Sequence, residues 1–298
     1  MFTLPSRVRS WLGARGERRA FRRRLNPAVD SLEGRALLSV MTAAPPKAHV
    51  AAIAAPVQSA SSKVHVQAAN EADSDRSSTT STAWTWYYNV DANFLTTLSR
   101  DRNQRFVDLQ VESASPLRFD VATVSNTGAY SKTWWYYYGI TAAQIGTLSS
   151  QNNARLIDLD SYNDANGQTR YTTIMIRNTG NDAKTWWYYY NITPSFLANR
   201  LSVNNARLVD IGQRSNGNFD VIMVPNSGAD AKTWWYYYNI TPSFLSNRLS
   251  VNNARPTELQ RLSNGNFTVI MQRNSGPRWW YYYGITSTQV QSFATQNR

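Results

Sequence analysis

From Trp84 to the C-terminus, the pattern of apolar and polar positions passes through one sequence of changes and then starts again. A run of consecutive aromatics, WWYYYN from Trp186 and again from Trp234, reads as a strand. Its alternation puts Trp186, Tyr188 and Tyr190 on one face and Trp187 and Tyr189 on the other. A helix follows, opened by Thr193-Pro194 or Thr241-Pro242. Threonine is a favoured N-cap, and proline at the first helical position gives up an N–H that would go unpaired there anyway. Asp91, Thr141 and Thr286 fill the same slot elsewhere. Phe196, Leu197, Leu201 and Val203 predict a one-sided apolar stripe, and Asn204-Asn205 ends the helix because asparagine tolerates the left-handed conformation. Two β-type runs come next, from Arg207 and from Phe219, separated by Asn216-Gly217. That pair predicts a hairpin whose two central residues both take positive φ. A second turn at Asn226-Ser227-Gly228 leads into the next aromatic run. The elements together predict a three-stranded antiparallel meander with one helix packed on a face.

The pattern is an internal repeat. Aromatic runs begin at Trp84, Trp134, Trp186, Trp234 and Trp279, and the segments Thr185–Phe219 and Thr233–Phe267 differ at only eight of 35 positions. A unit of this size cannot bury its own apolar face, so neighbours must stack. The expected fold is α+β, a tandem array of about four and a half units over 84–298, either open or closed into a propeller-like ring.

Charge divides the rest of the chain. Residues 1–40 hold nine arginines against Glu17, Asp30 and Glu33, which accounts for half of the net charge of +12. This stretch, basic and then weakly apolar from Ala36 to Ala44, has the order of an export signal. Residues 41–83 are rich in Ala, Ser, Thr and Pro, too poor in large apolar groups to offset chain entropy, and read as a disordered linker. The remaining charge is spread thinly over the repeats and forms no basic stripe, which argues against specific nucleic-acid binding. No run of 18 apolar residues appears to serve as a transmembrane helix.

Catalytic chemistry has little to work with. There is no cysteine, and His49 and His65 both fall in the linker. None of the five lysines has a serine three places earlier, and no Gly-x-Ser-x-Gly, P-loop or GxGxxG occurs. The reading is therefore no enzyme, no cofactor and no metal. The distinctive side chains are aromatic, and two uses compete for them. They can replace an aliphatic core, since each buries roughly 150–250 Å². Alternatively one face is a row of stacking platforms for a polysaccharide, a cell-wall polymer or a protein. The candidate ligand-binding row is Trp135, Tyr137, Trp187, Tyr189, Trp235, Tyr237, Trp280 and Tyr282. Two further rows align: Arg105, Arg155, Arg207 and Arg255, and three residues later Asp108, Asp158, Asp210 and Glu258. In a regular strand an offset of three places these on opposite faces, and a ladder between adjacent units is their expected use.

Two resemblances bear on this reading. Leu32, Glu33, Arg35, Leu37, Leu38 and Ser39 resemble the LEPR-XLL motif near the N-terminus of large exported or surface proteins of some bacteria, with Gly34 in place of the usual proline. The resemblance implies an extracytoplasmic address. The unit WWYYYNIT…FLANRLSVNNARLVDIGQRSNGNFDVIMV resembles a bacterial tandem repeat family that accompanies polyglycine hydrolases and related serine hydrolases of β-lactamase-like fold. Catalytic residues there lie outside the repeats, so what the resemblance implies for 84–298 is an accessory docking or surface-binding role. The expected protein is an exported, non-enzymatic repeat array that binds a polymer through its aromatic strands. A structural surface protein with a purely internal use for the aromatics is the alternative, and an accessory part of a serine hydrolase system is the second. Its oligomeric state is left open.

Overall fold

The computed structural model of the protein describes residues 8–9, 66–69, 83–100, 103–128, 131–275 and 279–296. The expected addressing segment and linker thus lie almost wholly outside the described residues, as do His49 and His65. Two short strands are the exceptions: Val8–Arg9 pairs in parallel with Ala254–Arg261, and Val66–Ala69 pairs antiparallel with Ala83–Val90.

Four units follow one another. The first has an aromatic strand Ala83–Val90, a helix Ala92–Arg100, a second strand Gln104–Ala114 and a third strand Leu117–Ser125. The same order recurs in Trp134–Ile140, Ala142–Gln151, Ala154–Asn163 and Thr169–Arg177; in Trp187–Ile192, Pro194–Val203, Ala206–Gln213 and Phe219–Pro225; and in Trp234–Ile240, Pro242–Val251, Ala254–Arg261 and Phe267–Arg273. A partial fifth unit contributes an aromatic segment over 279–285 and the helix Ser287–Gln296. The architecture is a tandem array of three-stranded antiparallel sheets, each with one helix.

The order of strands within each sheet differs from that of a meander. The third strand lies at the centre, between the aromatic strand and the second strand. Trp135 faces Met175, Trp187 faces Met223 and Trp235 faces Met271, so each third strand returns to its own aromatic strand and not to the next one. The physical reason is the helix. Its crossover brings the second strand back parallel to the first with one strand's width between them, and the hairpin fills that gap. The turn near Asn226 is therefore a boundary between units. It is braced by side chain: Asn178 accepts the Lys184 N–H at 2.8 Å and donates to the Lys184 carbonyl at 3.0 Å, as Asn126 and Asn226 do with Lys132 and Lys232.

The hairpin at Asn216-Gly217 also departs from expectation. Only Gly217 takes positive φ, at 83°, and its N–H bonds the Arg214 carbonyl. This is a type I turn followed by a left-handed glycine, the three-residue form of the hairpin.

Two bulges shape every sheet. Pairing slips between Tyr137 and Ile140, and the residue responsible is left-handed in each copy: Asn89, Gly139, Asn191, Asn239 and, in the partial unit, Gly284. Only glycine and asparagine occupy this slot, as its backbone requires. The second strand slips between Leu156 and Asp158, Leu208 and Asp210, and the equivalent pairs of the other two units. The extra residue reverses the alternation, so Leu156 and Leu159, or Leu208 and Ile211, both point into one core despite an offset of three. By the same shift Arg207 and Asp210 share the opposite face, which corrects the expectation that an offset of three separates them. Pro256 is tolerated in its strand because it sits at this bulge, outside the Leu259–Gln260 stretch that pairs with Val8–Arg9.

Cores are shared between neighbours. In the second unit, Ile145 from the helix packs with Leu156, Leu159, Tyr171 and Met175, and the layer is completed by Trp186, Tyr188, Val209 and Ile222 of the third. The first and third units are closed in the same way by the units after them. The fourth is closed by Trp279, Tyr281 and Ile285 of the partial fifth. The last helix lies against Val66–Ala69 and so reaches the sheet of the first unit.

Candidate functional site

The alternation expected of the aromatic strand is present, and its two faces have separate jobs. Trp134, Tyr136 and Tyr138 point back into the first unit. Phe106 meets Trp134 and Tyr136 with ring centroids 4.8 Å apart in each case, and Phe119 meets Tyr138 edge-on at 5.0 Å. Along the strand these rings also stack on each other, as Trp186 does on Tyr188 at 5.5 Å and Trp234 on Tyr236 at 5.8 Å. Burial raises the phenol pKa of Tyr138, Tyr188, Tyr236 and Tyr281 above the ordinary value. These rings join one unit to the next.

The candidate row Trp135, Tyr137, Trp187, Tyr189, Trp235, Tyr237, Trp280 and Tyr282 occupies the other face. All eight are half-buried. Trp135 and Tyr137, Trp187 and Tyr189, and Trp235 and Tyr237 pack on the core of their own unit. The phenols of Tyr137, Tyr189 and Tyr237 accept hydrogen bonds from the helix C-cap residues Asn152, Asn204 and Asn252 at 2.8, 3.4 and 3.2 Å. Tyr282 stacks on Phe293 at 4.3 Å. These rings are thus only partly open to a ligand.

The more open aromatics lie outside the candidate row. Tyr190, Tyr238 and Tyr283 are 44%, 42% and 42% exposed, and Phe196 and Phe244 are 37% and 36% exposed. The helix stripe expected to be one-sided is divided. Leu197 is fully buried, whereas Phe196 and Val203, four residues before and three after Arg200, face outward. Arg200 lies over the Phe196 ring at 4.6 Å, and Arg248 over Phe244 at the same distance. Tyr189 and Tyr237 meet these phenylalanines edge-on, each pair at 5.7 Å. A Tyr–Phe–Arg cluster is therefore repeated, nearly superposable in its distances, on the third and fourth units. In the second unit Gln144 and Leu148 hold the phenylalanine and arginine positions, so the cluster is confined to part of the array. A helix-period count does flag Phe196 and Val203, but it cannot say that they lie outside the arc the sheet covers.

Two of the aligned acids, Asp158 and Asp210, reach the preceding unit, as expected of a ladder. The Asp158 carboxylate accepts the Leu109 N–H of the first unit at 3.3 Å, and Asp210 accepts the Leu159 N–H of the second at 2.8 Å. In the first and second units the bulge interrupts the sheet's own hydrogen bonding at that point, and the next unit's carboxylate takes up the amide. A second ladder runs along the boundary turns, where Lys132 pairs with Asp182 and Lys184 with Asp230 at 3.1 Å.

Among the described residues no group of three His, Cys, Asp or Glu side chains is placed to hold a metal ion, and no helix is long and apolar enough to cross a membrane. No family model matches the chain, and no curated protein matches it.

Proposed function

We propose that this is a non-catalytic repeat protein that works outside the cytoplasm and binds an extended polymer along the aromatic side of its array. The observation that carries the reading is the Tyr–Phe–Arg cluster, displayed twice in register on adjacent units. Arginine over a partly exposed ring offers both cation–π contact and a hydrogen-bonding fork beside an apolar plane. Two such clusters one repeat apart suit a ligand that is itself repetitive, and linking weak sites in this way raises apparent affinity by about 10²-fold or more. The half-buried candidate row supports the clusters from behind: Tyr189 and Tyr237 hold Phe196 and Phe244 at their edges. The basic N-terminal stretch with its LEPR-XLL-like residues supports an extracytoplasmic address, and the repeat resemblance supports an accessory docking role.

A structural surface role is the second reading, favoured by the back-face triads such as Trp134, Tyr136 and Tyr138, which spend most of their area on unit-to-unit packing. Retention of the full chain on insoluble cell-wall polymers and polysaccharides separates the two. The double variant Phe196→Ala/Phe244→Ala removes outward rings without touching the cores, and the polymer reading expects its retention to fall at least tenfold. Equal retention of parent and variant would refute it and leave the structural role.

A further inference from the structure

A polar cleft of about 320 Å³ lies at the hairpin ends of the second and third units, with Gln260 of the fourth unit on its wall. Its size falls in the range of small-ligand sites, roughly 300–1,000 Å³. Tyr162 and Asn163 line it from one unit, and Arg214, Ser215 and Asn216 from the next.

The floor of the cleft is rigid. Arg214 and Asp220 form an ion pair at 2.8 Å, with Asp220 almost completely buried. The carboxylate also accepts the Asn191 N–H at 2.8 Å and the Ser161 hydroxyl at 2.5 Å. Arg214 donates further to the Tyr171 phenol at 2.6 Å and lies over that ring. Asn216 and Asn218 both donate to the Asn191 side chain, at 3.0 and 2.9 Å, which ties the hairpin tip to the end of the aromatic strand. The exposed Tyr190 packs edge-on against Tyr171, so an open aromatic ring stands one contact away from the arginine.

The arrangement belongs to this joint alone among the four units. Glu112, Tyr162 and Leu262 hold the position of Arg214 elsewhere, and Asp120, Thr172 and Thr268 that of Asp220. The specialisation is hard to explain by stability: a buried ion pair is weak at best as a stabilising device, and Leu262 with Thr268 fills the same place in the fourth unit.

We infer that this cleft is a binding subsite for a neutral, hydroxyl-rich ring, that is, a saccharide unit. Charge decides the class. Asp220 neutralises the one cation, and every other lining residue is uncharged, so phosphate, sulfate and carboxylate ligands find no counter-charge. The lining is mostly polar, which disfavours an apolar guest. What it offers is hydroxyl, amide and guanidinium groups, with the Tyr162 side chain on its wall, a set that matches hydroxyl pairs around a sugar ring. The inference rests on the polymer-binding reading in that it narrows the polymer to a neutral polysaccharide.

The test is a titration of the full chain with neutral oligosaccharides of glucose, mannose and N-acetylglucosamine, followed by amide chemical shifts and calorimetry. Saturable binding is expected for at least one of them, with shifts centred on Asn163, Ser215 and Asn216. Ser215→Trp, at an exposed turn position, fills the cleft and is expected to weaken binding at least tenfold, and Asn163→Ala to weaken it severalfold. Val203→Ala, at an exposed position that lines neither the cleft nor the aromatic clusters, is expected to leave this titration unchanged. The inference is overturned if no neutral oligosaccharide saturates, or if both cleft variants bind like the parent. If the cleft binds sugar while polymer retention ignores Phe196 and Phe244, the aromatic clusters fail and the subsite stands.

Discussion

Asp210→Ala tests the idea that neighbouring units are joined by carboxylate-to-amide bonds at the bulges. Asp210 is 1% exposed, and its Oδ2 accepts the N–H of Leu159, which is fully buried, at 2.8 Å. Alanine leaves that amide buried without its acceptor, which costs about 1–3 kcal/mol. Asparagine keeps an acceptor oxygen in nearly the same place and loses only the charge; since hydrogen bonds to charged groups exceed neutral ones by roughly 1 kcal/mol, Asp210→Asn should cost about that much. In an array whose stability is a sum of unit and interface contributions, the loss falls on the interface between the second and third units and lowers cooperativity. Urea unfolding followed by tryptophan fluorescence measures the first effect, and hydrogen exchange at the Leu159 amide the second. Alanine stability within about 0.5 kcal/mol of the parent, together with unaltered Leu159 exchange, would refute the reasoning.

Phe106→Ala empties a fully buried site that holds Trp134 and Tyr136 of the next unit; a loss of about 3–5 kcal/mol is expected by chemical denaturation. Gly139→Ala forces a side chain onto φ 67°, where nothing but the Tyr162 hydroxyl lies within 4 Å, so the cost is backbone strain of about 1–2 kcal/mol. Gly139→Asn should cost less, because asparagine fills this slot in three other units, and the two melting temperatures decide it. Asp120 carries a pKa raised from 3.8 to about 7, by burial first and then by the Glu112 charge, against the opposing Asn89 amide. The native state therefore keeps a proton that the unfolded chain has lost, and stability should fall as pH rises from about 4 to about 7. At about 1.4 kcal/mol per pKa unit the fall is bounded by roughly 4 kcal/mol. Asp120→Asn, which still accepts the Asn89 N–H, should flatten that slope, and equal slopes in denaturation at pH 5 and pH 8 would sink the assignment.

Some of the molecule was written locally. Thr141, Thr193 and Thr241 cap their helices by accepting the N–H three residues on, as the Thr-Pro and Thr-Ala openings imply. Asn205 and Asn253 close them in the left-handed region. The period-two split of WWYYY into two faces is also correct. Each of these depends on a residue and its near neighbours along the chain, and the repeat offers the same evidence several times over. That Trp187 and Tyr189, and Trp235 and Tyr237, share a face of their strands follows for the same reason. Their exposure was not legible, because that depends on where the unit's own helix comes to rest.

What the sequence alone determined was the period, the elements within it and the pairing of opposite faces along each strand. The tertiary structure decided the rest. It put the third strand at the centre of the sheet, because the crossover leaves a gap that only the hairpin can fill. It turned Arg207 and Asp210 onto one face, because one extra residue at a bulge reverses every side chain after it. It also brought Tyr162 and Arg214, equivalent positions of successive units, to the two walls of one cleft. Strand order, bulges and joints between units are all contacts between residues far apart in the chain, and no local pattern of apolar and polar positions encodes them.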